Sequence, residues 1–448
     1  MYGNPWGNPE ETGMKQRIKK YLTPASYRHR LKKIRRSRKV SHLLKKGFGN
    51  ADFTPLWEVR LDDSGIRDPG KVSVDAFGIP AGQKVNWMKD VPGDHVFPAI
   101  RMDRLKMSAN WDQGIDVKYP WELSRFLFGN ELAARYSRSG RIEYYNRFRE
   151  LVLDWIKKNP FLMGVNWVCT MDVAIRATNW ILAANVFSRQ IAEDTEFKKV
   201  FSDSLVQHGS YIQAFPEIYP GKHTTNHTTA DYVGLLYVAR ALPGYPEAAN
   251  WQKTAVRGLT GCMEYQVYSD GGSFEASAGY HRLVTELFGL GALLCLHHSI
   301  SLPGSYYAKL HSMFSFLFSI CDLHGNSPLF GDNDSGTLLQ CDFTRNQDYS
   351  YMKAFYSCLF NSESGLQYKI EPPLFINMMP LEYRLYEGLP DPQGLKISEN
   401  KLFKDSGLFA FRRGELSGNI YFIPIGQKGH GGHNHLDIGS FTLSFGNR

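Results

Sequence analysis

The sequence predicts a mainly α protein that ends in short antiparallel strands, and two observations carry that prediction. From about residue 120 to 365 apolar side chains recur at helical spacing between Pro/Gly/Asn/Asp breakers. Near residue 400 the pattern changes to alternating or short apolar runs rich in Phe, Ile and Tyr, bounded by Gly and Asn.

Taken in order, the helical segments include RIEYYNRFRELVLDWIKK at 141–158, DVAIRATNWILAANVFSRQ at 172–190 and TTADYVGLLYVARAL at 228–242. TELFGLGALLCLHHS at 285–299 and YYAKLHSMFSFLFSIC at 306–321 continue the series. The breakers between them, such as NPFLMG, FPEIYPGKH, LPGYPE and SLPGS, predict successive antiparallel helix pairs. LFAFRRGELSGNIYFIPIGQ at 408–427 and IGSFTLSFG at 438–446 read as strands, too few to close a sandwich, so the second domain is expected to be cut short.

With 43% hydrophobic and 14% aromatic residues among 448, the chain has ample material for a core. Charge is uneven: the first fifty residues hold 14 Lys/Arg and 2 Asp/Glu, leaving 38 and 42 for the rest. A basic arm over 1–50 reads as a solvated, partly helical segment or as a contact for an anionic glycan or a membrane surface. It lacks the interleaved aromatics of a nucleic-acid reader, so no nucleic-acid partner is expected. No apolar stretch follows the first charges, so the N-terminus offers no export signal. The six cysteines form no CxxC pair and outline no disulfide framework.

Three stretches concentrate reactive side chains. HTTNHTTADY at 223–232 places Asn226 and His227 at a helix start, where capping accounts for the Thr/Asn content and leaves His227 unexplained. SDGGSFEASAGYHRLVTELF at 269–288 leads a Gly-rich turn into a helix and sets Glu275, Tyr280, His281 and Arg282 around its opening. In KGHGGHNHLDIGSF at 428–441, an extended backbone would put His433, His435 and Asp437 on one face. That is a metal-like spacing without a complete zinc ligand set.

The order of DVKYPWELSRF (116–126), DVAIRATNWI (172–181), TNHTTAD (225–231), DGGSFEASAGYHR (270–282), GDNDSG (331–336) and GGHNHLDIGSF (431–441) resembles the heparinase II/III-like polysaccharide lyases. The first fifty residues lie outside the resemblance. It implies an incomplete α/α toroid, placed at 90–385 after a connecting segment at 51–89, then an incomplete antiparallel β-sandwich domain at 395–448. It further implies β-elimination at a uronic acid in an acidic polysaccharide, glycosaminoglycan-like or alginate-like, leaving an unsaturated uronate end. A carboxylate makes its α-proton poorly acidic, so groups that stabilise developing negative charge are needed.

By the same resemblance Tyr280 is the catalytic tyrosine, Asn226 and His433 supply that stabilisation, and His227 is the candidate base. Arg282, Arg176 and Trp180 become candidates for sugar contact, with pairing to Asp172 and helix packing as the alternatives. The chemistry requires no cofactor. A structural zinc in the full-length protein would take His435, its other ligands lying beyond Arg448, with Asp437 orienting a histidine. The periplasm is the location implied, and the cytoplasm is the alternative given the absent signal. Two rivals remain: a glycoside hydrolase pairing Glu275 with Asp332 or Asp334, and a non-catalytic glycan-binding protein of polysaccharide production. The Asp332/Asp334 stretch otherwise reads as turn stabilisation.

Overall fold

The computed structural model describes residues 24–57, 59, 85–105, 114–219, 221, 223–334, 336–339, 347–360, 379 and 399–446. Its described helices are α1 Pro24–Lys45, α2 Lys118–Ser124, α3 Leu127–Ser139, α4 Ile142–Lys158, α5 Thr170–Val186 and α6 Ser188–Glu193. They continue as α7 Thr195–Ala214, α8 Asn226–Ala241, α9 Ala248–Gln266, α10 Ala278–His297, α11 Gly304–Ile320 and α12 Met352–Phe360. None is long and apolar enough to cross a membrane. A short hairpin, β1 Lys89–Asp90 with β2 His95–Val96, precedes α2.

Composition sorts the helices into an inner and an outer set. Every residue of α5 is buried, as are all of α10 but Tyr280, Leu296 and His297. Their polar side chains, such as Asp172 and Arg176 in α5 and Arg282 and Glu286 in α10, find partners inside, so neither helix keeps a face for water. By contrast α4 and α9 keep one apolar stripe, Tyr144, Phe148, Leu151 and Trp155 in α4, and Trp251, Leu259 and Met263 in α9. The inner helices α5 and α8 approach so closely that a Cβ on Gly234 would sit 2.7 Å from the Ala174 backbone.

The C-terminal strands form one antiparallel sheet in chain order: β3 Asn400–Phe403, β4 Leu408–Arg413, β5 Leu416–Tyr421 and β6 Phe441–Phe445. Its inner face buries Phe403, Leu408, Ala410 and Tyr421. The sheet is fastened to the end of α11: the Phe403 and Phe316 rings meet edge to face at 4.6 Å. Arg412 Nη2 donates to the Phe318 and Cys321 carbonyls at 2.6 and 2.7 Å. Asn419 Nδ2 caps the Ile320 carbonyl at 2.9 Å. β6 leaves Phe441, Leu443 and Phe445 more than half exposed.

Helix periodicity and strand chemistry therefore lead to the elements they predicted. The basic arm is helical over 24–45 and is docked rather than wholly solvated, because Val40 and Leu43 are buried in the main core. The expected boundary near 385–395 and Cys341 lie outside the described residues. Cys169, Cys262, Cys295, Cys321 and Cys358 are free and buried.

Candidate active site

A cleft of about 100 Å³ opens between α2, α5, the start of α8 and the start of α10. Lys118, Glu122, Arg125, Cys169, His227, Tyr280 and Asp334 are among the residues lining it. Local sequence places Tyr280. Ala276 is held at φ 57°, Ser277 caps α10 by accepting from the Tyr280 N–H, and the ring thus leaves the first turn toward the cleft.

The Tyr280 hydroxyl donates to Asp334 Oδ2 at 2.7 Å, and Lys118 Nζ reaches the same oxygen at 3.0 Å. Burial, then the hydrogen bond and charge of Asp334, raise the Tyr280 pKa, so the phenol holds its proton. Burial works against the Asp334 carboxylate, but Tyr280 and Lys118 outweigh it and hold that pKa below the usual value.

His433 arrives from a segment distant in sequence and lies flat on Tyr280, ring centroids 3.3 Å apart and planes 8° from parallel. Its Nδ1 is 3.0 Å from Asp332 Oδ2 and its Nε2 is 3.3 Å from Asn226 Nδ2. The amide nitrogen only donates, which assigns the proton of a neutral imidazole to Nδ1. An imidazolium in this seat would require the Asn226 amide to turn over. Its carbonyl oxygen, buried without a hydrogen-bond partner among the described residues, would then accept from Nε2.

The 331–336 loop makes this meeting geometrically specific. Gly331 adopts φ 63°, and a Cβ there would fall 2.5 Å from the His433 carbonyl and 2.7 Å from that of Ala276. Only glycine admits that approach at such a φ. The Asp332 N–H then donates to the His433 carbonyl at 2.7 Å.

Asn226 opens α8 and is fully buried. Its N–H donates to Glu275 Oε1 at 2.9 Å, and Gln427 Nε2 donates to Glu275 Oε2 at 2.8 Å. Next to it, His227 remains about a third exposed (34%) and its Nδ1 lies 2.8 Å from Glu217 Oε2. Burial opposes charging this imidazole, but the Glu217 hydrogen bond and charge prevail and its pKa is raised. The Glu217 N–H is fixed in turn by Asp231 Oδ2 at 2.6 Å.

The structure thus brings Tyr280, Asn226 and His433 into contact and sets His227 on the wall of the same cleft. Arg176, Trp180 and Arg282 require correction as sugar contacts, because all three are fully buried. The Arg176 guanidinium packs 4.0 Å over Trp155, and its Nε donates to His208 Nε2 at 3.0 Å. Burial lowers its pKa to about 9. Trp180 meets Trp155 and Phe126 edge to face. Arg282 Nη2 donates to the Gly336 carbonyl, and its guanidinium lies 4.8 Å over the Tyr349 ring. Asp172 pairs with Arg125, whose Nε is 2.7 Å away, rather than with either of those arginines.

Two further readings change. Asp437 accepts from the Gly331 N–H at 2.9 Å, so it holds the loop and orients no histidine. Asp332 takes that part, one oxygen on His433 and the other 2.6 Å from His435 Nε2. Glu275, sealed from solvent with an N–H donor on each oxygen, is a positioning residue, which removes one half of the hydrolase pair. Sequence reasoning missed Glu217 inside FPEIYPG, a stretch that reads as a breaker, and took Asp332 and Asp334 for turn formers.

Among the described residues two groups offer metal-ligating atoms within 4.8 Å of one another: Cys169, Glu217 and His227, and Asp332, Asp334 and His433. Around His435 itself the described residues provide one imidazole and the Asp332 carboxylate, which is short of the four donors of a structural zinc site.

Residues 81–358 match the model of the heparinase II/III N-terminus family. The chain is similar to the heparin-sulfate lyase of Pedobacter heparinus, 24% identical over 225 residues, covering 49% of this chain and 33% of that protein. It is also similar to the heparin-sulfate lyase of Bacteroides stercoris, 23% identical over 284 residues, covering 57% of this chain and 42% of that protein. It therefore spans between a third and a half of the length of these curated relatives. A crystal structure of heparinase III shares the fold at a TM-score of 0.56 and 15% identity, covering 91% of this chain and 61% of that one. On the family match, which takes in more than half of its residues, the chain belongs to the heparinase II/III N-terminus family.

Proposed function

We propose that this chain carries the catalytic centre of a polysaccharide lyase that cleaves a uronate-containing acidic polysaccharide by β-elimination. The observation that supports it best is Tyr280 stacked on His433, with Asn226 at the imidazole Nε2 and the phenol at a cleft where Lys118 and Arg125 stand among Glu122, Asp172 and Asp334.

Each step has a residue suited to it. The substrate carboxylate sits on the cleft side of His433, and the fully buried Asn226 acts through its bond to that ring, holding it where charge builds as the α-proton leaves. Glu217 holds the proton of His227 on Nδ1, leaving Nε2 to accept the α-proton as the base. The electron pair of that C–H bond forms the new double bond, and the bond from the β-carbon to the glycosidic oxygen breaks. Tyr280 leaves Asp334 and gives its hydroxyl proton to the departing oxygen, and solvent restores it. Its raised pKa keeps the acid loaded before the step. Lys118, more than half exposed at the cleft, remains to balance Asp334.

The test is absorbance of the unsaturated uronate product on a panel of acidic polysaccharides. The expected result is a signal with the parent protein and a loss of about 10²–10⁴ in rate for Tyr280→Phe, the range of general-acid catalysis. New reducing ends without absorbance would mean hydrolysis, and binding without any product would leave a glycan-binding protein.

A further inference from the structure

Beside the cleft lies a second concavity of about 390 Å³ that the elimination chemistry does not use. One of its walls is the docked basic helix α1, which presents Lys32, Arg35, Arg36 and Lys39 to the groove. Thr170 and Glu217 stand among the residues opposite. Spacings of three, four and seven residues put these cations on one helix face, spread over about 10 Å at 1.5 Å rise per residue.

The face is fixed in place. Val40 and Leu43 are buried in the core, Arg36 Nη2 donates to the Val168 carbonyl at 3.0 Å and Lys39 Nζ donates to that of Ala214 at 2.6 Å. Arg101 further ties the helix down through Ser41 Oγ at 3.3 Å. A row of cations held at one spacing is costly unless something neutralises it, and α1 contains no acidic residue. Among the described residues none of the four cations has an ion-pair partner. The carboxylate at the groove, Glu217, is engaged by His227 and by the Met171 N–H. Glu217 also divides the groove from the cleft, since it lines the first and holds the His227 that lines the second.

We propose that this groove is an accessory subsite for an anionic polysaccharide, receiving the sulfate or carboxylate groups of a chain whose scissile unit occupies the neighbouring cleft. The inference rests on the polysaccharide-lyase reading for the identity of the ligand. A concave row one helix face long suits a single flexible polyanion. The groove's apolar residues, Val168, Ala214, Phe215 and Pro216, line a concavity rather than a protruding face that a bilayer could bury, and duplex DNA would call for a broader stripe.

The experiment measures heparin and alginate binding to the whole chain by calorimetry across a series of salt concentrations. The parent is compared with the double variant Lys32→Gln/Arg35→Gln and with Tyr280→Phe. The double variant spares the carbonyl bonds of Arg36 and Lys39, and an unchanged circular dichroism melt confirms its fold. The expected result is about tenfold weaker glycan binding and a slope of log K against log salt reduced by about two, one per neutralised charge. Tyr280→Phe is expected to bind as the parent does.

Glycan affinity and slope unchanged in the double variant would overturn the proposal, as would failure of the parent to bind either polymer. Stronger parent binding to phosphatidylserine vesicles or duplex DNA, lost in the same variant, would assign the groove to another partner and overturn it too. Groove-dependent binding without unsaturated product would sink the lyase reading alone. Product formation with binding indifferent to Lys32 and Arg35 would sink the subsite alone.

Discussion

Two clusters in this molecule combine histidine, aromatic rings and charged partners, and they serve opposite ends. In the first, Arg176, His208, Trp155, Trp167 and Trp180 meet inside the helical core with essentially no exposure. Burial and the neighbouring Arg176 charge drive the His208 pKa well below its usual value, so this imidazole stays neutral and structural. In the second, Tyr280, His433, Asn226, Asp332 and Asp334 meet where the 331–336 loop and the 430–437 turn close over α8 and α10. Residue types alone do not separate the two clusters. What separates them is access to water.

The largest contrast comes from pairing one variant in each cluster. Trp180→Ala opens a cavity in the core and is expected to cost about 3–5 kcal/mol of unfolding free energy. Tyr280→Phe, which keeps the ring stack on His433, is expected to leave the urea midpoint within error while removing the elimination rate. Equal loss of stability in both would erase the distinction drawn here.

A smaller effect tests how the open cluster is oriented. Asp332→Asn weakens the acceptor that fixes the His433 Nδ1 proton and also frees His435. By analogy with outer partners of metal-bound histidines, a loss of about 10–100-fold in turnover is expected, with little change in substrate affinity. A rise in KM at constant kcat would place Asp332 in substrate binding instead.

The smallest effect is a displacement along the pH axis. As a base His227 works neutral, so activity should rise with pH through a midpoint above the ordinary histidine value, because Glu217 raises it. Glu217→Gln removes that charge and should move the rising limb of kcat/KM to lower pH. The stability effect has a fixed sign: a raised folded-state pKa stabilises fully below the unfolded value and is lost as pH climbs through the folded one. Glu217→Gln should therefore destabilise more in acid than in base. A limb that stays put would shift the role of base away from His227.

Much of the fold was legible because helix and strand periods are local properties. The stripe of α4 and the apolar run over 287–296 of α10 follow from neighbours three and four residues away. The candidate site was legible in part. Tyr280, Asn226, His227 and His433 stand in distinctive motifs, but Glu217 sits in a proline-flanked turn with no catalytic look. Asp332 and Asp334 were discounted because a GDNDSG loop is ordinarily its own explanation.

By itself the sequence determined the helices, the strands, the family and the charge of α1. Tertiary structure decided which charges are sealed and which are offered. Arg176 and Arg282 read like sugar ligands and lie in the core, whereas Lys32 and Arg35, in an arm that reads either as solvated or as a contact for an anionic glycan or membrane surface, line a groove. The reason is range. Asn226 and His433 touch across 207 positions, and Asp332 and His433 across 101. Chain adjacency fixes the backbone period, but burial and partnership depend on how distant elements pack.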